Sequence, residues 1–129
     1  MSETVGIGII TCNRPEFFKK CRESIKKEWY DYIVVVNDGN TPVYNAQSPV
    51  IGTAGMEGVG KAKNKALTYL QEKNCDYIIL IEDDMLFRKT YLNNILRPIN
   101  QPVYITLCLV TMARLIKLVL VVGYRYHVK

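Results

Sequence analysis

No acidic residue follows Asp84, although 45 residues of chain remain. Residues 1–84 hold all 12 Asp and Glu against 10 Lys and Arg, a net charge of −2; residues 85–129 hold the other 7 Lys and Arg, a net +7. The overall +5 therefore joins two segments of opposite sign. A basic segment of this kind suits nucleic acid, an anionic membrane surface or a phosphate-rich ligand. It also excludes carboxylate chemistry from everything after Asp84. Histidine occurs once, as His127, and Cys12, Cys21, Cys75 and Cys108 form no C-x-x-C pair. Zinc-binding and dithiol-redox readings are left without support, and free core thiols are expected. The start, Met1-Ser2-Glu3-Thr4, is not basic and leads into no small-residue cleavage site. A cytoplasmic chain with reduced thiols is therefore expected.

What is present is an ordinary globular mix, 49% apolar and 22% charged, in a length that allows one domain or part of one. Residues 5–11 are an apolar run suited to a buried strand, broken by Cys12-Asn13-Arg14-Pro15. Pro15 fits the first turn of a helix, where its missing N–H costs nothing. Phe17, Phe18, Cys21 and Ile25 then recur at helical spacing. Residues 32–36 form a second β-branched strand, closed by the turn signal Asn37-Asp38-Gly39-Asn40. Val50-Ile51 suggests a small strand. Residues 59–73 read as a helix with Ala62, Ala66, Leu67 and Leu70 as its apolar stripe, stopped at Asn74. Residues 77–81 are a third buried strand, closed by Glu82-Asp83-Asp84, and a short helix is predicted near residues 90–96. Continuous apolar strands alternating with amphipathic helices imply an α/β fold whose mostly parallel sheet is covered on both faces.

Ligands of such sheets bind beyond the carboxyl ends of the strands. The residues closing each strand are thus the first candidates: Thr11 to Arg14, Asn37 to Gly39, and Glu82 to Asp84. Asp83 and Asp84 repel each other and call for solvent or a cation. A hard divalent ion that also meets a diphosphate answers that need, because Mg²⁺ takes few protein carboxylates plus phosphate oxygens. A solvated acidic turn is an equal reading of the triplet alone. Asp38 can accept a hydrogen bond from the N–H of a base, or simply make an Asp-Gly turn. Lys61, Lys63 and Lys65 open a helix after Gly58 and Gly60, where phosphate is attracted; an ordinary basic helix face is the plainer reading. Gly55 to Ala62 also approaches the phosphate-binding loop G-x-x-x-x-G-K-[ST], but Ala62 lacks the hydroxyl that would meet Mg²⁺ and no convincing strand precedes Gly55.

Four blocks carry a resemblance: Ile9-Ile10-Thr11-Cys12-Asn13-Arg14-Pro15, Ile33-Val34-Val35-Val36-Asn37-Asp38-Gly39-Asn40, Gly60-Lys61-Ala62-Lys63-Asn64-Lys65-Ala66, and Ile79-Leu80-Ile81-Glu82-Asp83-Asp84. In this order they resemble the inverting family 2-type glycosyltransferases of the GT-A fold, over roughly residues 4–97. The resemblance implies a three-layer α/β/α sandwich of the nucleotide-diphospho-sugar transferase type, with an incomplete C-terminal half. It implies a nucleoside-diphosphate-sugar donor, UDP-sugar in the first instance, and Mn²⁺ or Mg²⁺ as cofactor. Thr11 and Asp38 would meet the base and Asp83 the ribose. Asp84, with Asp83 beside it, would ligate the metal as in the family's D-x-D element. Asn13, Arg14 and Lys63 complete the implied nucleotide-binding set. The acceptor would be a glycan, a lipid or a protein, with no nucleic-acid partner. Asn37 and Asn40 depart from the Asp-Asp-Gly-Ser pattern, and Lys63 replaces an Arg with loss of its bidentate fork. No acid after Asp84 can serve as the base that deprotonates the acceptor, so no catalytic residue is nominated. A non-catalytic nucleotide-binding remnant is the alternative, and a phosphate-loop hydrolase the third reading.

The organisation expected is a nucleotide-sugar-binding half over residues 1–100 and a hydrophobic, basic tail over 101–129. Residues 103–122 are nearly all apolar, with Arg114 and Lys117 inside. Three readings stay open there: a strand pair over 103–110 and 115–122, an aberrant or frame-shifted end, or contact with a membrane surface. Tyr124, Tyr126 and His127 read as packing residues.

Overall fold

The computed structural model describes residues 4–87 and 118–122. The predicted helix at 90–96, the predicted strand at 103–110, Cys108, Arg114, Lys117 and the Tyr124–His127 cluster lie outside the described residues. Five strands form one sheet: β1 (Val5–Thr11), β2 (Tyr32–Asn37), β3 (Val50–Gly52), β4 (Tyr77–Glu82) and β5 (Leu118–Val122). Their order is β3-β2-β1-β4-β5 and every pairing is parallel. Helix α1 (Pro15–Glu23) follows β1, a short 3₁₀ turn spans Lys27–Trp29, and helix α2 (Val59–Glu72) connects β3 to β4. In the tail, Leu118–Val122 is a strand beside β4, within the 115–122 segment predicted as one.

Alternation along the central strands sorts their side chains onto two faces. Ile7, Ile9, Ile33, Val35, Ile79 and Ile81 pack with Phe18, Cys21 and Ile25 on the α1 face. Ile10, Val34, Val36, Ile78 and Leu80 pack with Ala62, Ala66, Leu67 and Leu70 on the α2 face. Both faces are thus covered, which is why these strands read as unbroken apolar runs. Gly8 sits in a close contact of β1 with α2 and β4: a Cβ there would lie 2.9 Å from Leu80 Cδ2 and 3.0 Å from Ala66 Cβ.

Helix α2 stops where Asn74 was predicted to stop it, and the device is a left-handed cap. Asn74 has φ 62°, the Cys75 N–H donates to Leu70 O and the Asn74 N–H to Gln71 O, the paired bonds of a Schellman motif. Helix α1 departs from its predicted stripe. Phe18 and Cys21 are buried, but Phe17 is 48% exposed, and the buried position beside Cys21 is Arg22. Ile25 is buried beyond the helix end. The reason is local: Phe17 lies under the guanidinium of Arg14, 5.2 Å from ring centroid to Cζ, rather than against the sheet. Met85 and Phe87 are also buried on the α1 face, where the Phe87 N–H donates to Ser24 Oγ at 2.7 Å and its ring meets Trp29 at 5.7 Å.

Candidate functional site

The parallel register brings the three predicted strand ends to one rim. Thr11 lies opposite Asn37 and Ile10 opposite Glu82. The bonding continues past the strands, with the Asp38 N–H donating to Thr11 O and the Asp83 N–H to Ile10 O. Going outward from β1, the chain runs to β2 and β3 on one side and to β4 on the other. The carboxyl ends of β1 and β4 therefore flank the topological switch point, where an open α/β sheet leaves a crevice.

At this crevice Asp83 is turned inward. It is 1% exposed, and both carboxylate oxygens have protein partners. Oδ2 accepts from the Thr11 hydroxyl at 2.8 Å, and Oδ1 accepts from Nη2 of Arg14 in a charge-assisted bond. The arrangement ties the end of β1 and the entry of α1 to the end of β4. It brings three of the predicted residues together, Thr11, Arg14 and Asp83. Asp84, next in the chain, is half-buried. Beneath the pair, burial first, and then the charges of Asp83 and Asp84, push the Cys21 thiol up to about 12. Cys21 is consequently an inert core thiol. Lys63 is drawn to Glu82, Nζ to Oε2 3.6 Å, so this residue of the predicted nucleotide set faces the rim from α2 with a carboxylate partner.

Asp38 is buried, and its carboxylate is the organising centre of residues 53–58. Oδ1 accepts from the Thr53 hydroxyl at 2.6 Å and from the Glu57 N–H at 2.8 Å; Oδ2 accepts from the Gly58 N–H at 2.9 Å. The Thr53 bond, with the two amides, holds this carboxyl below its ordinary range, against the opposing effect of burial. The Met56 N–H donates to the Asp38 carbonyl oxygen. These amides belong to the stretch that resembled a phosphate-binding loop, and they are directed at a protein carboxylate rather than into an open cradle. The strand before them, β3, has three residues and sits at the sheet edge. The phosphate-loop reading is therefore left with a three-residue edge strand, and its Met56, Glu57 and Gly58 amides are taken by Asp38.

Asn13 joins the first two strand ends. In the left-handed conformation, φ 53°, its Oδ1 accepts from the N–H groups of Asn40 and Thr41 at 2.8 and 2.9 Å. Gly39 is needed opposite it, since a Cβ there would come within 2.3 Å of that Oδ1. Asn37 takes the place of the family's acid as a turn-former: its Oδ1 accepts from the Gly39 N–H at 2.9 Å and its Nδ2 donates to Thr41 O at 3.0 Å.

A cavity of about 470 Å³ opens beside this rim, between α1 and residues 41–47. Thr11, Asn13 and Arg14 line it; Asp38, Lys63 and Asp83 do not. Its inner wall includes Arg22, a residue that the sequence reading passed over. Arg22 is 7% exposed, and its guanidinium donates to Ala46 O at 2.6 Å, Gln47 O at 3.3 Å and the Tyr30 hydroxyl at 3.2 Å. Its signal was present in the helix period, since it follows Phe18 by four positions and so shares the inward face.

Among the described residues no group of three or more His, Cys, Asp or Glu is placed to hold a metal unaided. Asp84 is half-buried at the end of β4, and a lone carboxylate of this kind could serve an ion only if water and phosphate oxygens completed its shell. Among the described residues no helix is long and apolar enough to cross a membrane. Comparison with curated proteins and with solved structures gives no match. A family model does match, over residues 7–118, a span that holds all four motif blocks, the switch-point crevice and the approach to β5. With most of the chain matched and the α/β architecture in place, the protein belongs to glycosyl transferase family 2.

Proposed function

We propose that the crevice at the ends of β1, β2 and β4 binds a nucleoside-diphosphate sugar, with UDP as its nucleotide, for inverting transfer of the sugar to a hydroxyl of a glycan, lipid or protein. The observation that carries this reading is the convergence of Thr11–Arg14, Asn37–Gly39 and Glu82–Asp84 on one rim of a parallel sheet, at its switch point. The base lies against Thr11, Asn13 and the Asp38 turn. Asp38 Oδ2 accepts a single bond from the described residues and keeps acceptor capacity for a base N–H. The diphosphate lies toward Arg14, Lys63 and Asp84, where cationic donors and a metal-binding carboxylate meet. Mn²⁺ or Mg²⁺ held by Asp84 would supply Lewis-acid stabilisation of the departing diphosphate. Calorimetric titration of the chain with UDP and Mn²⁺ tests the proposal. Saturable heat is expected from wild type and its loss from Asp84→Ala; no heat from wild type, or equal heat from the variant, refutes it.

A second reading is favoured by one observation: residues 85–129 contain no acid to act as acceptor base. On that reading this chain binds the donor without completing transfer. Sugar transfer by the purified 129-residue chain overturns it.

A further inference from the structure

We propose that Met56 is the residue that covers the nucleobase: its thioether closes on the exposed face of the ring once the base is seated. The inference deepens the donor-site reading above and rests on it. Residues 11–14, 37–39 and 82–84, the three strand ends, contain no aromatic side chain. They can meet the edge of a base with hydrogen bonds, but none offers an aromatic surface to its face, and the Arg14 guanidinium already stands over Phe17. Bases gain affinity from stacking on their faces. The cover has to come from an adjoining segment.

Met56 is placed to supply it. Its N–H donates to Asp38 O at 2.6 Å, so the loop passes over the end of β2. From there the side chain reaches across to the β1–α1 turn, with Sδ 3.3 Å from Cys12 Sγ and 3.9 Å from Asn13 Nδ2. It therefore bridges the two strand ends between which the base is proposed to lie. Neither packing nor turn geometry gives this side chain another task. It is 64% exposed, and its φ of 54° lies in the left-handed region, where Gly would serve the turn without strain. The backbone beneath it is held, because Asp38 accepts from Thr53 on one side and from Glu57 and Gly58 on the other. The side chain above is not: a thioether is a weak acceptor, and Met turns about three bonds. A fixed stalk with a mobile, polarizable tip suits a cover, and sulfur packs favourably against aromatic rings. Tyr44 is the other exposed candidate, at 72%, but it lines the cavity on the α1 side, whose walls do not include Asp38.

The test is calorimetric titration of UDP with Mg²⁺ for wild type, Met56→Gly and Tyr44→Ala, joined to peroxide footprinting of wild type. Hydrogen peroxide gives one oxygen to an accessible thioether, leaving the sulfoxide and water; mass spectrometry reads it on the Met56 peptide. Met85, 7% exposed, is the internal control. Wild type that binds no UDP refutes the donor-site reading itself. Given binding, saturating UDP should slow oxidation of Met56 severalfold and leave Met85 as slow as before. Met56→Gly should weaken UDP about two- to tenfold, the range of a sulfur–aromatic contact. Its urea midpoint should equal or exceed that of wild type, because the left-handed strain is relieved. Met56 oxidation that is unchanged or faster with UDP bound overturns the inference. So does equal UDP affinity in Met56→Gly, or a loss confined to Tyr44→Ala. Should Met56→Gly lower the urea midpoint instead, the footprint of wild type decides alone.

Discussion

Replacing Asp38 by Asn isolates the carboxylate that shapes the rim. The side chain keeps its size, but one of its two acceptor oxygens becomes an NH₂ group. Three donors converge on Asp38: Thr53 Oγ1, Glu57 N and Gly58 N. The Asn oxygen can serve the Thr53–Glu57 side or the Gly58 side, and the NH₂ then faces an N–H or a hydroxyl on the other. At least one charge-assisted bond is lost outright, and each is worth about 1.5–3 kcal/mol, while the surviving bonds fall to the neutral value of about 1 kcal/mol. Asp38→Asn should therefore cost about 2–4 kcal/mol in urea denaturation at pH 7, a large share of a small domain's stability. Because the folded carboxyl is held below its ordinary value, its contribution is complete above the unfolded value of about 3.9. It fades as the pH falls through the folded value. The deficit of the variant should shrink accordingly on acidification below about pH 4. Hydrogen exchange should show the Glu57 and Gly58 amides losing protection before those of α2. A variant as stable as wild type at pH 7, or a deficit unchanged at the lowest pH where wild type stays folded, would refute the assignment of this carboxylate as the organiser of residues 53–58.

Three further outcomes follow from the packing. Cys21 should report on alkaline pH: its thiol is raised to about 12 from an ordinary 9.0, so the unfolded chain ionises first and stability falls above about pH 9, by at most about 1.4 kcal/mol per unit. Cys21→Ala should flatten that limb of the stability curve, and an unchanged slope would exclude Cys21 as its source. Gly8→Ala should cost about 1–3 kcal/mol as an overpacked contact between β1 and α2, read as a lower urea midpoint with an unchanged m-value. Arg22→Met keeps the bulk but strands the carbonyls of Ala46 and Gln47. A cost of about 2–4 kcal/mol is expected, with proteolytic sensitivity appearing first at residues 41–47.

Much of the fold was legible because the three central strands are buried on both faces, so their apolar runs needed no partner to be recognised. The α2 stripe was legible for the same reason, and Asn74 because few residues other than Gly tolerate the left-handed cap. The strand-end residues were legible as a group, since parallel strands put their carboxyl ends on one side. Their bonding was not. Arg14 and Asp83 are 69 positions apart, and only the register of β1 against β4 brings them together. Asp38 likewise looked like a ligand for a base, while the Thr53 hydroxyl and the Glu57 and Gly58 amides of a loop folded over it are the donors it meets. Phe17 and Arg22 exchange the roles that polarity alone assigns them. An aromatic can sit outside when a guanidinium stacks on it, and an arginine can sit inside when carbonyls and a hydroxyl meet its donors.

The difference between Asp83 and Asp84 follows from the period of a strand. Ile79 and Ile81 point to the α1 face, and Asp83 continues that alternation one step past the last residue of β4. Its burial is therefore set by the same geometry that buries the isoleucines, and a buried carboxylate must find donors. Thr11, two residues beyond Ile9 on the neighbouring strand, falls on the same face by the same period. Arg14 arrives there because Pro15 begins α1 immediately after it. The adjacent aspartates thus part company before any ligand is considered: the first closes the core, and the second is left to the rim. Exchanging an acid between these positions would not be neutral, for a charge moved inward needs the Thr11–Arg14 pair and a charge moved outward does not.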